Sequence, residues 1–215
     1  MSERVEDAII LAGGSSSRIG SEKALLEIDG QTFLARAASA LAPSRLRIGV
    51  SVAKDGPSAA LAAEIRRAGL EVLPDLRAGR AGPLAGIEAG LAWARGSAAL
   101  VLAVDMVGVD AAFIAELIRC FESLARSRSD ESRSSGLLGL VPIAARVEPL
   151  CAIYATALLP AVRARLDRGE LAARDLALEP GVERVDAAAL GIGDRDRETV
   201  FRSVNTPGEY RDVTR

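Results

Sequence analysis

Apolar residues fall along this chain in short blocks set apart by turn-forming residues, and the blocks alternate between two periods. Ala8–Ala12 is a continuous apolar run of strand length that stops at Gly13-Gly14. Gln31–Leu41 follows as a predicted helix closed by Pro43. Leu46–Val52 places apolar residues on alternate positions and predicts a second strand. Ser58–Ala68 predicts a helix ended by Gly69, and Leu70–Leu73 a third strand. Pro83–Arg95 carries proline in its first turn and Gly96 past its end, as a helix does. Ala98–Val104 is almost wholly apolar, which suits the centre of a sheet covered on both faces. Ala111–Ala125 then predicts a long amphipathic helix.

The rhythm breaks at residues 127–135, where Ser-Arg-Ser-Asp-Glu-Ser-Arg-Ser-Ser reads as a flexible surface loop. Leu137–Ile143 and Leu150–Tyr154 resume as strands. Thr156–Leu166 and Leu171–Leu178 read as helices, and Val182–Val185 as a short strand. Residues 187–202 match neither period. Strand–helix alternation of this kind predicts an α/β fold with a mostly parallel central sheet and helices on both faces. With 215 residues and no internal repeat or linker, a single domain over 1–215 is expected.

Composition narrows the chemistry by exclusion. The chain has no histidine, which removes Ser-His-Asp and Cys-His catalysis, histidine zinc sites and a histidine general base. A formal charge of −2 argues against a broad electrostatic grip on nucleic acid, and 3% aromatics against base-stacking platforms. Cys120 and Cys151 lack metal-ligand spacing and read as buried thiols suited to a reducing compartment. The N-terminus lacks a signal-peptide pattern and no apolar run approaches a membrane span. A soluble, cytoplasmic protein without membrane partners is expected.

Candidate chemistry collects where strands end. A strand that empties into Gly13, Gly14 and Ser15 brings backbone N–H groups close to a ligand. Arg18 and Lys23 in the same stretch suit a polyphosphate, although a solvated turn has a similar composition. Lys23 is one of only two lysines beside 25 arginines, by chance or because a compact ammonium is required there. Asp105 closes the most apolar strand, where a carboxylate needs a cation or donors. Magnesium beside a nucleoside triphosphate is one answer. An N-cap of the helix near Ala111 is the other, at an awkward six residues. Asp75, after Leu73-Pro74, suits either a ligand contact or an ordinary turn. A P-loop is excluded because no Gly-Lys pair occurs. A dinucleotide fingerprint is excluded because Gly13 and Gly14 are adjacent and the late Gly191-Ile-Gly193 meets Asp196.

The stretch Leu11-Ala-Gly-Gly-Ser-Ser-Ser-Arg-Ile-Gly-Ser-Glu-Lys-Ala-Leu-Leu26, with Gly30, resembles the signature loop of MobA-like nucleotidyltransferases. Gly82-Pro-Leu-Ala-Gly-Ile-Glu-Ala-Gly-Leu91 resembles the family's second glycine loop and helix, and Val104-Asp-Met106 its metal motif. Glu148-Pro-Leu-Cys-Ala-Ile-Tyr154 and Val204-Asn-Thr-Pro207 resemble two further motifs, in the family's order. Leu-Ala-Gly-Gly, with Gly13, is similar to the molybdenum cofactor guanylyltransferases, whereas cytidylyltransferase relatives commonly carry Leu-Ala-Ala-Gly. Val107, Glu148 and Ser203 depart from the family pattern, the last two on the acceptor side.

The resemblance implies a three-layer Rossmann-like nucleotidyltransferase fold. It has a nucleotide-binding half over about residues 1–110 and an acceptor half over about 137–215. It implies transfer of GMP from GTP to the terminal phosphate of molybdopterin, with Mg²⁺ on Asp105 and release of pyrophosphate. Arg18, Lys23 and Asp105 would be catalytic, and Leu11, Ala12, Gly13, Gly14, Ser15, Asp75, Gly82 and Pro83 would bind nucleotide. Arg146, Pro149 and Asn205 would face the acceptor, and cofactor-delivery or acceptor enzymes would be partners. The competing expectations are a CTP- or sugar-phosphate-dependent enzyme on the same scaffold, and a non-catalytic nucleotide-binding regulator.

Overall fold

A computed structural model describes residues 4–13, 22–79, 81–130, 136–191 and 197–214. Its strands are β1 (Val5–Leu11), β2 (Glu27–Ile28), β3 (Gln31–Thr32), β4 (Arg47–Val52), β5 (Glu71–Pro74), β6 (Ala98–Ala103), β7 (Gly139–Ile143), β8 (Cys151–Ala155) and β9 (Val182–Asp186). Its helices are α1 (Phe33–Leu41), α2 (Ala59–Arg67), α3 (Gly82–Trp93), α4 (Ala111–Asp130), α5 (Leu159–Asp167), α6 (Arg197–Val200) and α7 (Pro207–Val213). Seven strands form one sheet in the order β5-β4-β1-β6-β8-β7-β9, and β2 pairs with β3 in a separate hairpin. Every pairing in the large sheet is parallel except the two made by β8.

The expected three layers follow from the alternation of side chains along the central strands. Ile10 and Leu100 pack to one face with Phe33, Leu34, Leu61, Phe113 and Phe121 from α1, α2 and α4. Their neighbours Ile9 and Val101 pack to the other with Leu84, Ile87 and Leu91 of α3 and Val162 of α5. All six residues of β6 are buried, as its apolar run predicts. Helix α3 lies unusually close to the sheet. A Cβ on Gly90 would sit 2.6 Å from Ile9 Cγ1, and one on Gly86 2.8 Å from Leu11 Cδ2. Only glycine admits that approach.

Several expected boundaries change. The chain expected to be helical from Gln31 pairs Gln31–Thr32 with Glu27–Ile28 around Asp29-Gly30, both at positive φ. Helix α1 starts only at Phe33, where the Thr32 hydroxyl accepts from Ala35 N. Residues 171–178 form a 3₁₀ segment, Ala173–Leu178, instead of an α-helix. Residues 127–130 of the expected loop continue α4, and 131–135 lie outside the described residues. Asp110, with Phe113 N on its Oδ1, caps α4, so Asp105 is not the cap. Cys151 is buried as expected, whereas Cys120 is only half-buried.

Candidate active site

The carboxyl ends of β5, β4, β1 and β6 form one rim, and the sequence candidates arrive there from three of these strands, β5, β1 and β6. Ala12 N donates to Ser51 O, Asp75 N to Val52 O and Val104 N to Leu11 O, so the chain leaves each strand still tied to its neighbour. At about 4.8 Å per strand, Asp75 and Asp105 stand roughly three spacings, about 14 Å, apart along the rim. Leu11 is buried, Ala12 half-buried, and Gly13 packs against the backbone of Val52. Gly82, at φ +65°, and Pro83 are exposed at the start of α3, whose Gly86 packs against Ser51 and Leu11 at the same strand ends. Gly14, Ser15 and Arg18 lie outside the described residues.

Three distant segments converge on one ammonium. Lys23 Nζ donates to Asp105 Oδ2 at 2.9 Å and to Asn205 Oδ1 at 2.5 Å, across 82 and 182 residues of sequence. The ion pair keeps some contact with water, with side chains 23% and 16% exposed. Asn205 reaches it because the C-terminal segment runs beside the residues after β6 and docks on the β2–β3 hairpin. Met106 bridges to Ser203, and Val204 N donates to Asp105 O. Thr206 and Glu209 then form a reciprocal cap on α7, with Asn205 N and Thr206 N both donating to Glu209. These hydrogen bonds, led by the one from Asn205 N, hold the Glu209 carboxyl below the usual range. Tyr210 anchors the helix by donating to Glu27 O and meeting Phe33 edge-on.

Asp75 occupies the other end of the rim. Ser51 Oγ donates to its Oδ1 at 3.1 Å. Burial pushes the Asp75 carboxyl above the ordinary range, against the lowering effect of Ser51 and with a push from Glu88. The loop after Asp75 is fixed by Arg77, which donates through Nε to buried Glu88 at 2.8 Å and through Nη1 to Asp167 at 2.6 Å. Arg163 donates to the same Glu88. Ser51, Arg77 and Glu88 escaped the sequence reading. A serine amid the apolar alternation of its strand was the one visible signal.

The pairing of Leu102 with Cys151 and the bond from Ala103 N to Leu150 O bring the turn before β8 to the same sheet end, on the side away from Asp75. Arg146 is exposed there and donates through Nε to Glu148 at 3.2 Å. Pro149 is buried, with its carbonyl accepting from Tyr154 Oη. Glu148 is 4% exposed, and burial raises its carboxyl despite the neighbouring Arg146. Lys23, Asp105 and Asn205 are thus brought together, whereas Asp75 and Arg146 flank them from opposite sides.

Among the described residues no group of three or more His, Cys, Asp or Glu side chains could hold a metal ion by itself. Asp105 offers a single, partly solvated carboxylate oxygen pair already engaged with a cation. That donor set fits magnesium brought in on phosphates, which fills most of its sphere with phosphate oxygens and water. No helix among the described residues is long and apolar enough to cross a membrane.

A mostly parallel sheet with charged groups on its carboxyl rim, a glycine-rich exit from β1 and an aspartate after the central strand suit an α/β nucleotidyltransferase. The MobA-like NTP transferase domain matches residues 8–181, and the chain belongs to that family. It is 34% identical to a probable molybdenum cofactor guanylyltransferase of Pelotomaculum thermopropionicum over 94% of this chain and 88% of that protein. It is 33% identical to the molybdenum cofactor guanylyltransferase of Rhodobacter capsulatus over 93% and 90%. Its fold matches the crystal structure of molybdopterin-guanine dinucleotide biosynthesis protein A from Archaeoglobus fulgidus with a TM-score of 0.72. That match has 22% identity and covers 97% and 96% of the two chains.

Proposed function

We propose that this protein transfers GMP from GTP to the terminal phosphate of molybdopterin and releases pyrophosphate. The observation that carries the reading is the near end-to-end similarity to relatives named for that activity. A rim on which one ammonium meets both a carboxylate and a carboxamide supports it.

In this reading an oxygen of the acceptor phosphate attacks the α-phosphorus of GTP in line. The new P–O bond forms as the bond from the α-phosphorus to its β-bridging oxygen breaks, and that electron pair leaves with pyrophosphate. The nucleophile is already an anion, so the step asks for alignment and charge neutralisation, and a chain without histidine can supply both. Lys23 neutralises charge on the departing phosphates, with Arg18 as the second cation. The amides following Gly13 and at the start of α3 hold the triphosphate. Leu11 and Ala12 meet base and ribose, and Asp75, aimed by Ser51, accepts from the donor edge of guanine. Asp105 and the phosphates would hold Mg²⁺, which supplies further neutralisation when bound. Arg146 and the NH₂ of Asn205 face the acceptor phosphate, beside Pro149.

Pyrophosphate release with molybdopterin and each of GTP, CTP, ATP and UTP in turn, all with Mg²⁺, tests the proposal. GTP should be preferred by at least tenfold. Preference for CTP, or release only with a sugar phosphate, would replace the substrate assignment, and no release with any nucleotide would overturn the activity.

A further inference from the structure

The transfer as proposed leaves one contact unexplained. Lys23 should serve a triphosphate and Asp105 a metal ion, yet each is engaged with the other, and Asn205 Oδ1 holds the same ammonium. The backbone that carries Asn205 is held on three sides. Its backbone N–H is fixed by Glu209, its neighbour Val204 is bonded to Asp105 O, and α7 is docked on the β2–β3 hairpin through Tyr210. The carboxamide therefore reaches from a capped helix start to a lysine it has no other structural reason to meet. The capping box and the Tyr210 anchor hold the C-terminal segment without it.

We propose that Asn205 is a positioning residue that acts through Lys23, holding its ammonium on Asp105 as the counter-ion of the nucleotide-free protein until a metal–triphosphate takes both groups together. The inference rests on the reading of the rim as a nucleotide site given above. Its physical basis is charge. A bare divalent ion placed on Asp105 would leave an ammonium a few ångströms away, a repulsion of several kT in a partly buried site. The same ion arriving on a triphosphate brings anionic oxygens onto which Lys23 can move. The site thus refuses free metal and accepts the metal–nucleotide complex. A neutral carboxamide orients the ammonium and still lets it go, where a second carboxylate would trap it.

The chain offers a direct reporter, because it contains only two lysines. Uniform ¹³C,¹⁵N-lysine labelling gives two side-chain amine signals, from Lys23 and Lys54, separable by Lys54→Arg. Millimolar Mg²⁺ alone should leave the Lys23 signal in place, whereas Mg²⁺ with GTP should move it. Asn205→Ala should shift the Lys23 signal in the unliganded protein and lower kcat/KM for GTP about tenfold. Asn205→Asp should keep the unliganded contact yet lower kcat further, since the ammonium is then held by two carboxylates. Lys23→Met should bind Mn²⁺ alone, followed by electron paramagnetic resonance, at least tenfold more tightly than the native protein. An unchanged Lys23 signal in Asn205→Ala, or equal Mn²⁺ affinity in Lys23→Met, would overturn the proposal. A rim that binds no GTP would instead defeat the nucleotide reading, while the Asn205→Ala and Mn²⁺ measurements would still decide whether Asn205 and Lys23 guard Asp105.

Discussion

Two carboxylate–cation pairs sit at opposite ends of the same sheet, nearly equal in length and in the exposure of their cations, and unlike in the burial of their carboxylates. At the amino ends of β1 and β4, Asp7 meets Arg47 at 2.8 Å. Asp7 is 1% exposed, and the amides of Arg95 and Gly96 complete its acceptor set. Arg47 stacks 3.6 Å above the Trp93 ring and donates to Trp93 O, while Trp93 Nε1 is held by Glu71. At the carboxyl rim, Lys23 and Asp105 meet at 2.9 Å with water at hand. The lower pair is closed, because each polar group is matched by a fixed partner and opening it would strand a buried charge. The upper pair joins groups that solvent can take over, so exchange there is cheap. One ion pair thus ties β1 and β4 to the end of α3, and the other leaves both partners within reach of water.

Four substitutions would break or sharpen that contrast. The largest effect is expected from Asp105→Ala, which should cost guanylyl transfer at least a thousandfold while the melting temperature stays within a few degrees of native. A large drop in melting temperature would place the rim pair in the same class as the lower one. Asp7→Ala should do the reverse, lowering stability by about 3 kcal/mol in urea titration while the folded fraction keeps its native turnover. Gly86→Ala lies on the helix that joins the two ends. Its methyl would press on Ser51 Oγ and Leu11 Cδ2, costing about 1–3 kcal/mol and raising KM for the nucleotide through the displaced Asp75. Native kinetics in that variant would uncouple Ser51 from the site.

The smallest effect is expected at Glu148, whose carboxyl burial raises above its value in the unfolded chain. Between those two values the folded state binds the extra proton, so stability falls as pH rises through the window. Glu148→Gln removes that cost and should raise the melting temperature by a few degrees at pH 7 and above. The gain should vanish as pH falls below the ordinary glutamate range, where the native residue is also neutral. A gain independent of pH would assign the change to packing.

The course of the chain was largely legible in its sequence where apolar runs were long or strictly periodic. Ala98–Ala103, flanked by Gly96 and Asp105, had to be a buried strand, and α3 announced itself by Pro83 and its length. The β2–β3 hairpin has Asp29-Gly30 as its one signal, since strands of two residues carry no measurable alternation. Asp7 carries no local signal, because one charge in an apolar strand gains meaning only from Arg47, forty residues on. At the site, Lys23, Asp75 and Asp105 were each visible as charged residues after strands. Which of them meet was not visible, because contacts across 24, 82 and 182 residues have no expression in local spacing.

What the sequence determined by itself was the alternation of strands and helices and the kind of chemistry open to a chain without histidine. Both depend on residue type and on periods a few residues long. Which carboxylate is locked and which is exchangeable was decided only by tertiary structure. That difference arises from solvent access and the number of fixed donors around each oxygen, and neither exists until the layers close.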